Sequence, residues 1–195
     1  MGSSESTDLP SVIPSPCFVL DERRLLGNVD VLRRVRDEAA VTVLLALKAF
    51  VLTWAFPAIR SVAAGATASS LHELRMAGEE VGGEVHAYAP VYRAREWELW
   101  RTQCHFITFN SLSQFRRFGG GDAGFSAGLR IDPEYSDAVA KLYDPCGPGS
   151  RFGVRASELA GRLPPGLEGL HSHNLCEAGA TATILTLARI EELFA

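Results

Sequence analysis

VTVLLALKAF, residues 41–50, sets a lysine directly behind an apolar run of strand length. Lys48 is one of two lysines in 195 residues, the other being Lys141. A strand that turns Lys48 inward strips water from its amine and offers a neutral nucleophile for Schiff-base chemistry. The plainer reading is a strand-end lysine whose stem packs while its ammonium reaches water. Extended to Ile59, the same stretch reaches membrane length only with Lys48 mid-span and Pro57 near its end. That arrangement is costly in lipid, whereas strand, turn and helix explain the letters without the cost.

Working outward, PCFVL (16–20) reads as a short strand and Asp21 as the cap of a helix through about residue 39. Strand patterns recur at 41–47, 65–68, 84–89, 105–109, 125–131 and 167–173. Helical patterns lie between most of them, at about 53–63, 71–82, 93–102, 112–118 and 178–194. This alternation predicts βα repeats around a parallel sheet. Ser70, with Glu73 as a capping-box acid, and Asn110–Ser111 mark helix starts at strand ends, where α/β enzymes gather their chemistry. A closed eight-stranded barrel needs roughly 250 residues, and periodicity alone does not decide closure.

Composition bounds the partners. The chain carries 23 acidic and 19 basic residues with no basic block, so neither nucleic acid nor membrane is an expected partner. A cationic small substrate is compatible with that balance. Cys17, Cys104, Cys146 and Cys176 form no CxxC pair, which fits free thiols in a reducing cytoplasm. The opening MGSSESTDLPSVIPSP has neither the basic nor the apolar region of a signal peptide, and its Gly2 and Ser6 match a myristoylation pattern only superficially. Residues 1–13 are expected to be disordered and 14–195 to form one domain.

GLHSHNLCE (169–177) concentrates His171, His173, Asn174, Cys176 and Glu177 behind a predicted strand. Two imidazoles spaced HxH share one side of a strand, so zinc and a ring stacked on an organic cofactor are rival readings. PGSRFG (148–153) is a turn whose amides approach an anion or simply end a long loop. GGGDAG (119–124) lacks the strand-first context of a dinucleotide fingerprint. Arg130, at another strand end, meets either a carboxylate, a cofactor oxygen or solvent.

Together PCFVLDERRL, LLALKAF, TASSLHEL, FNSLSQF, GLRIDPEYS, DPCGPGSRFGV and GLHSHNLCE resemble the carboxynorspermidine/carboxyspermidine decarboxylases. These fall within the alanine racemase-like and ornithine decarboxylase-like pyridoxal phosphate enzymes, and the resemblance spans about residues 14–194. It implies a pyridoxal 5′-phosphate-binding (β/α)8 TIM barrel, α/β in class and incomplete here, with about six of eight strands and the C-terminal β domain absent. Lys48 matches the lysine that holds the cofactor covalently, His173 the histidine stacked on its ring, and Arg130 an arginine on the cofactor side. Ser70 matches the serine of the second-strand motif, and Thr67 stands where related decarboxylases carry aspartate. Cys176 replaces a phosphate-side serine of the broader family, and Glu177 is a candidate for a distal substrate ammonium.

The implied activity is decarboxylation of carboxynorspermidine or carboxyspermidine in polyamine biosynthesis, by a cytoplasmic enzyme that is a homodimer at full length. The chain alone is expected to be inactive, and its open sheet edge to invite aggregation. The alternatives are a non-catalytic pyridoxal phosphate-binding protein, a zinc hydrolase using His171 and His173, and an inert fragment.

Overall fold

The structure is a computed structural model that describes residues 13–119 and 124–194. The segment expected to be disordered therefore lies, apart from residue 13, outside the described residues, as does most of GGGDAG. The chain divides into two compact units, Met1–Val41 and Thr42–Ala195.

The first unit contains α1 (Glu22–Ala39). Asp21 caps it as expected, its carboxylate accepting the Arg24 N–H at 3.1 Å. Ala40 ends it in the left-handed region at φ 51°, and the Val41 N–H reaches back to the Arg36 carbonyl. The strand expected at 16–20 does not form. A strand exists only as one member of a hydrogen-bonded pair, and PCFVL finds no ladder partner among the described residues; Phe18 is fully exposed.

The second unit carries six parallel strands in sequential order: β1 (Leu44–Ala46), β2 (Gly65–Ala68), β3 (Glu84–Tyr88), β4 (Phe106–Phe109), β5 (Ser126–Arg130) and β6 (Gly169–His171). Helices α2 (Phe56–Arg60), α3 (Leu71–Met76), α4 (Trp97–Gln103), α5 (Leu112–Phe118) and α6 (Ala180–Phe194) intervene or follow. Every strand neighbours the next one in sequence, the arrangement of a (β/α)8 barrel rather than of a doubly wound sheet. β1 and β6 are not paired with each other, so the sheet is open and six of the eight barrel strands are in place.

Alternation along the strands gives the sheet two faces. Ala66, Ala68, Val85, Ala87, Ile107, Phe109, Ala127 and Leu129 are all buried and pack with Leu74, Trp100 and Phe115 of the helices. The intervening residues face the concave side, where the His86 and Phe106 rings stack at 4.2 Å. The sheet is strongly curled. Tyr88 on β3 and His171 on β6 lie three strand spacings apart, roughly 14 Å in a flat sheet. Their ring centroids are nevertheless only 5.0 Å apart.

Elements are shorter than their sequence patterns suggest. The strand read at 41–47 is three residues long, and the helix read over 71–82 changes to a π-turn at Ala77–Val81. Gly65 shows how closely β2 and β3 approach, since a Cβ there would lie 1.9 Å from the Glu84 carbonyl oxygen. Ser70 caps α3, its hydroxyl accepting the Glu73 N–H at 3.2 Å. Glu73 does not close the expected box on Ser70; its carboxylate instead accepts from the N–H and hydroxyl of Ser69.

Candidate functional site

The carboxyl ends of the strands open onto a cavity of about 710 Å³, within the range of small-molecule sites. Lys48, Arg130, His173 and Glu177 all line it, although they lie on three separate stretches of chain. Ser70 does not; its neighbour Ser69 takes the cavity position while the Ser70 hydroxyl caps α3.

Lys48 stands in the turn just past β1, where the Ala49 and Phe50 N–H groups both bond the Ala46 carbonyl. It is exposed on the cavity wall rather than drawn inward along the strand, so burial does not supply the desolvation read from the apolar run. The turn ends the strand two residues before the lysine, which is why strand alternation does not set its direction.

Arg130 is 6% exposed and has no carboxylate partner among the described residues. One guanidinium nitrogen donates to the Tyr88 hydroxyl and another to the His173 carbonyl at 2.9 Å. Its carbon lies 5.0 Å from the centre of the Tyr88 ring and 4.7 Å from that of Phe152. Of the partners left open by the sequence, a carboxylate, a cofactor oxygen or solvent, the carboxylate is replaced among the described residues by cation–π contact with both rings.

The histidines are held uncharged. Burial lowers the His171 pKa to about 4, with Arg130, His173 and Lys48 adding to the effect. His173, more open to the cavity, is lowered by the desolvation that remains and by the charges of Lys48 and Arg130. The His171 Nε2 is buried without a hydrogen-bond partner, and the two rings lie 6.2 Å apart, nearly edge to face. Among the described residues no three metal-capable side chains gather. The zinc reading thus lacks its third ligand.

Asn174 anchors the segment that carries His173 and Glu177. Its amide donates to the Tyr135 carbonyl and the Thr186 hydroxyl, both at 2.9 Å, and its oxygen accepts from Ser172. Glu177 adopts φ 56° and is exposed at the cavity, which Asp137 also lines.

No family model matches the chain. Individual relatives do. The chain is 50% identical over 186 residues to a carboxyaminopropylagmatine decarboxylase of Synechocystis, covering 94% of this chain and 48% of that protein. It is 37% identical over 182 residues to a carboxynorspermidine/carboxyspermidine decarboxylase of Campylobacter jejuni, covering 93% and 48% respectively. The fold superposes with a TM-score of 0.83 and 34% identity on the crystal structure of carboxynorspermidine decarboxylase complexed with norspermidine from Campylobacter jejuni, covering 93% of this chain and 47% of that one. This chain matches the carboxynorspermidine/carboxyspermidine decarboxylase family. It spans about half the length of the curated relatives it matches.

Several residues around this cavity escaped the sequence reading. Tyr88 is legible only as a residue within the strand pattern at 84–89, and its place opposite His171 depends on the curl. Phe152 lies within PGSRFG, where the glycines and not the ring drew notice. Asp137 sits in the long connection between β5 and β6, whose path carries no periodic signal.

Proposed function

We propose that this chain carries the lysine side of the active site of a pyridoxal 5′-phosphate-dependent decarboxylase acting on carboxylated polyamines. The observation that supports it is the convergence of Lys48, Arg130 and His173 on one cavity in a barrel similar to carboxynorspermidine decarboxylase. The donor set fits an anionic aromatic aldehyde: one amine, one buried guanidinium, the Ser69 hydroxyl, and the His173 imidazole, whose pKa is lowered by desolvation and by the neighbouring charges of Lys48 and Arg130. Lys48, His173 and Arg130 would hold the cofactor, with Ser69 in the cavity position expected of Ser70. When bound, the cofactor supplies the electron sink for loss of carbon dioxide.

The chain's own residues bind and orient. Lys48 presents its amine to the cavity as the nucleophile. Neutral His171 and His173 add no positive charge beside it. Arg130, buried and doubly stacked, offers a fixed cation to an anionic oxygen without rearranging. Glu177 and Asp137 give the cavity negative charge for the ammonium groups of a polyamine, and Asn174 holds Glu177 in place.

Carboxynorspermidine and carboxyspermidine are the proposed substrates, and the assembled enzyme is proposed to be a cytoplasmic homodimer. A second reading, with a guanidinium at the distal end of the substrate, is favoured by the 50% identity to the carboxyaminopropylagmatine decarboxylase. A non-catalytic pyridoxal phosphate-binding protein would share the lysine adduct but release no carbon dioxide.

The test is borohydride reduction in the presence of pyridoxal phosphate, followed by peptide mass spectrometry, with Lys48→Ala beside it. A saturable adduct on Lys48, lost in the variant, is expected; labelling spread over other amines would refute the reading. Carbon dioxide release from each of the three carboxylated amines then separates the substrates.

A further inference from the structure

The turn PGSRFG is built against the end of β4 and the guanidinium of Arg130. Asn110, 9% exposed, donates its amide to the Arg151 carbonyl at 2.8 Å, and its oxygen accepts the Gly153 N–H at 3.1 Å. Those two bonds leave the Asn110 side chain no freedom to flip, since its donor end faces a carbonyl and its acceptor end an N–H. The same oxygen accepts the Tyr88 hydroxyl proton at 2.9 Å. Arg130 can only donate, so the Tyr88 oxygen must accept from it and pass its own proton to Asn110. The chain of bonds has a single direction from end to end. Burial raises the Tyr88 pKa despite Arg130, which keeps the phenol protonated as that direction requires. Gly153 allows the turn to seat, at φ +84°, where a Cβ would lie 2.7 Å from the Ile131 carbonyl carbon. The β-bridge Ile131–Val154 fixes the same point from the other side. With the turn so held, the Phe152 ring lies 4.7 Å from the guanidinium carbon.

We propose that Tyr88, Asn110 and Phe152 are positioning residues that act through Arg130, locking its guanidinium in one plane and one rotamer at the cavity wall. The Tyr88 hydroxyl accepts one guanidinium N–H, both rings pack against the guanidinium carbon, and Asn110 ties the Tyr88 hydroxyl and the Phe152 turn to one anchor. Three elements distant in sequence, the ends of β3 and β4 and the turn at 151–153, thereby converge on one cation. The glycine-bearing turn, read from sequence either as approaching an anion or as ending a long loop, is assigned instead to holding Arg130 at the cavity wall. This rests on the proposed role of Arg130 only for its consequence in cofactor binding.

Two measurements on the full chain test it, and the first needs no cofactor. In the NMR spectrum of the guanidinium groups, Arg130, assigned with Arg130→Met, should show separate Nη resonances from hindered rotation. Tyr88→Phe, which keeps the ring and removes the hydroxyl, should average them. Should that variant not fold, Phe152→Leu is read in the same way from a partly exposed ring. Averaged resonances in the unsubstituted chain, or separate resonances that survive the substitution, overturn the clamp.

In the second measurement, titration with pyridoxal phosphate should be about tenfold weaker for Tyr88→Phe. In the Arg130→Met background the same substitution should have almost no further effect. Equal losses in both backgrounds would mean that Tyr88 acts independently of Arg130, which overturns the proposal. If the unsubstituted chain takes up no pyridoxal phosphate, the proposed function fails while the resonances still decide the clamp.

Discussion

The amide of Asn174 donates to the hydroxyl of Thr186 across 2.9 Å, joining the segment after β6 to the body of α6. Both groups are buried, at 6% and 5% exposure. A polar pair in such a place is strongly directional, because neither side chain has water to fall back on. The consequence is a fixed path for His173 to Glu177, a segment with no regular secondary structure.

Asn174→Ala removes that anchor and leaves the Tyr135 carbonyl and the Thr186 hydroxyl without their shared donor. The expected loss is about 2–3 kcal/mol. Denaturant unfolding at constant slope measures it, and a change under about 0.5 kcal/mol would show that the segment is held by other contacts.

Stability should fall with acid through His171. Its folded pKa, about 4, lies below the ordinary 6.5, so between those values the unfolded chain binds more protons than the folded one. The stabilisation from keeping this ring neutral is complete above about pH 6.5, declines as the pH falls, and levels off below about pH 4. The span amounts to roughly 3 kcal/mol at most. His171→Gln should flatten the slope of unfolding free energy between pH 6.5 and 4; an unchanged slope would assign it to other groups.

Gly153→Ala should be among the most damaging single-methyl additions in the chain. It forces a side chain into positive φ and against the Ile131 carbonyl. A cost of at least about 2 kcal/mol is expected. Gly124, also at positive φ but with open space around its Cβ position, is the control, and Gly124→Ala should cost about half as much or less. Equal midpoints for the two variants would contradict the close approach.

In the assembled enzyme, Glu177→Gln and Asp137→Asn should each raise KM for a cationic substrate by about two- to fivefold with kcat little changed. Both carboxylates are exposed, so the effect should shrink as salt is added. A fall in kcat at constant KM would instead give these carboxylates a part in the chemical step.

The repeating βα order, the cap at Asp21 and strands at 65–68, 84–89, 105–109 and 125–131 were legible from sequence, the last three each forming one or two residues shorter. Each is a local consequence of alternation, capping chemistry or turn residues acting over a few neighbours. Lys48 and GLHSHNLCE also stood out, because a rare amine behind an apolar run and two histidines behind another are unusual in themselves. The failed strand at 16–20 shows the limit of such local signals. Val19 and Phe18 have strand propensity, but a ladder needs a partner that propensity does not provide.

Tertiary structure alone decided what Arg130 meets. Its position at a strand end was visible, while the two rings it packs against come from β3 and from a turn 22 residues downstream. The curl of the sheet likewise sets Tyr88 against His171, and the Ser70 hydroxyl is taken up by capping while Ser69 reaches the cavity. Sequence periodicity reports which face of an element a residue occupies. Which residues of distant elements then share a cavity depends on how far the sheet bends and where the long connections return, and those are properties of the packed whole.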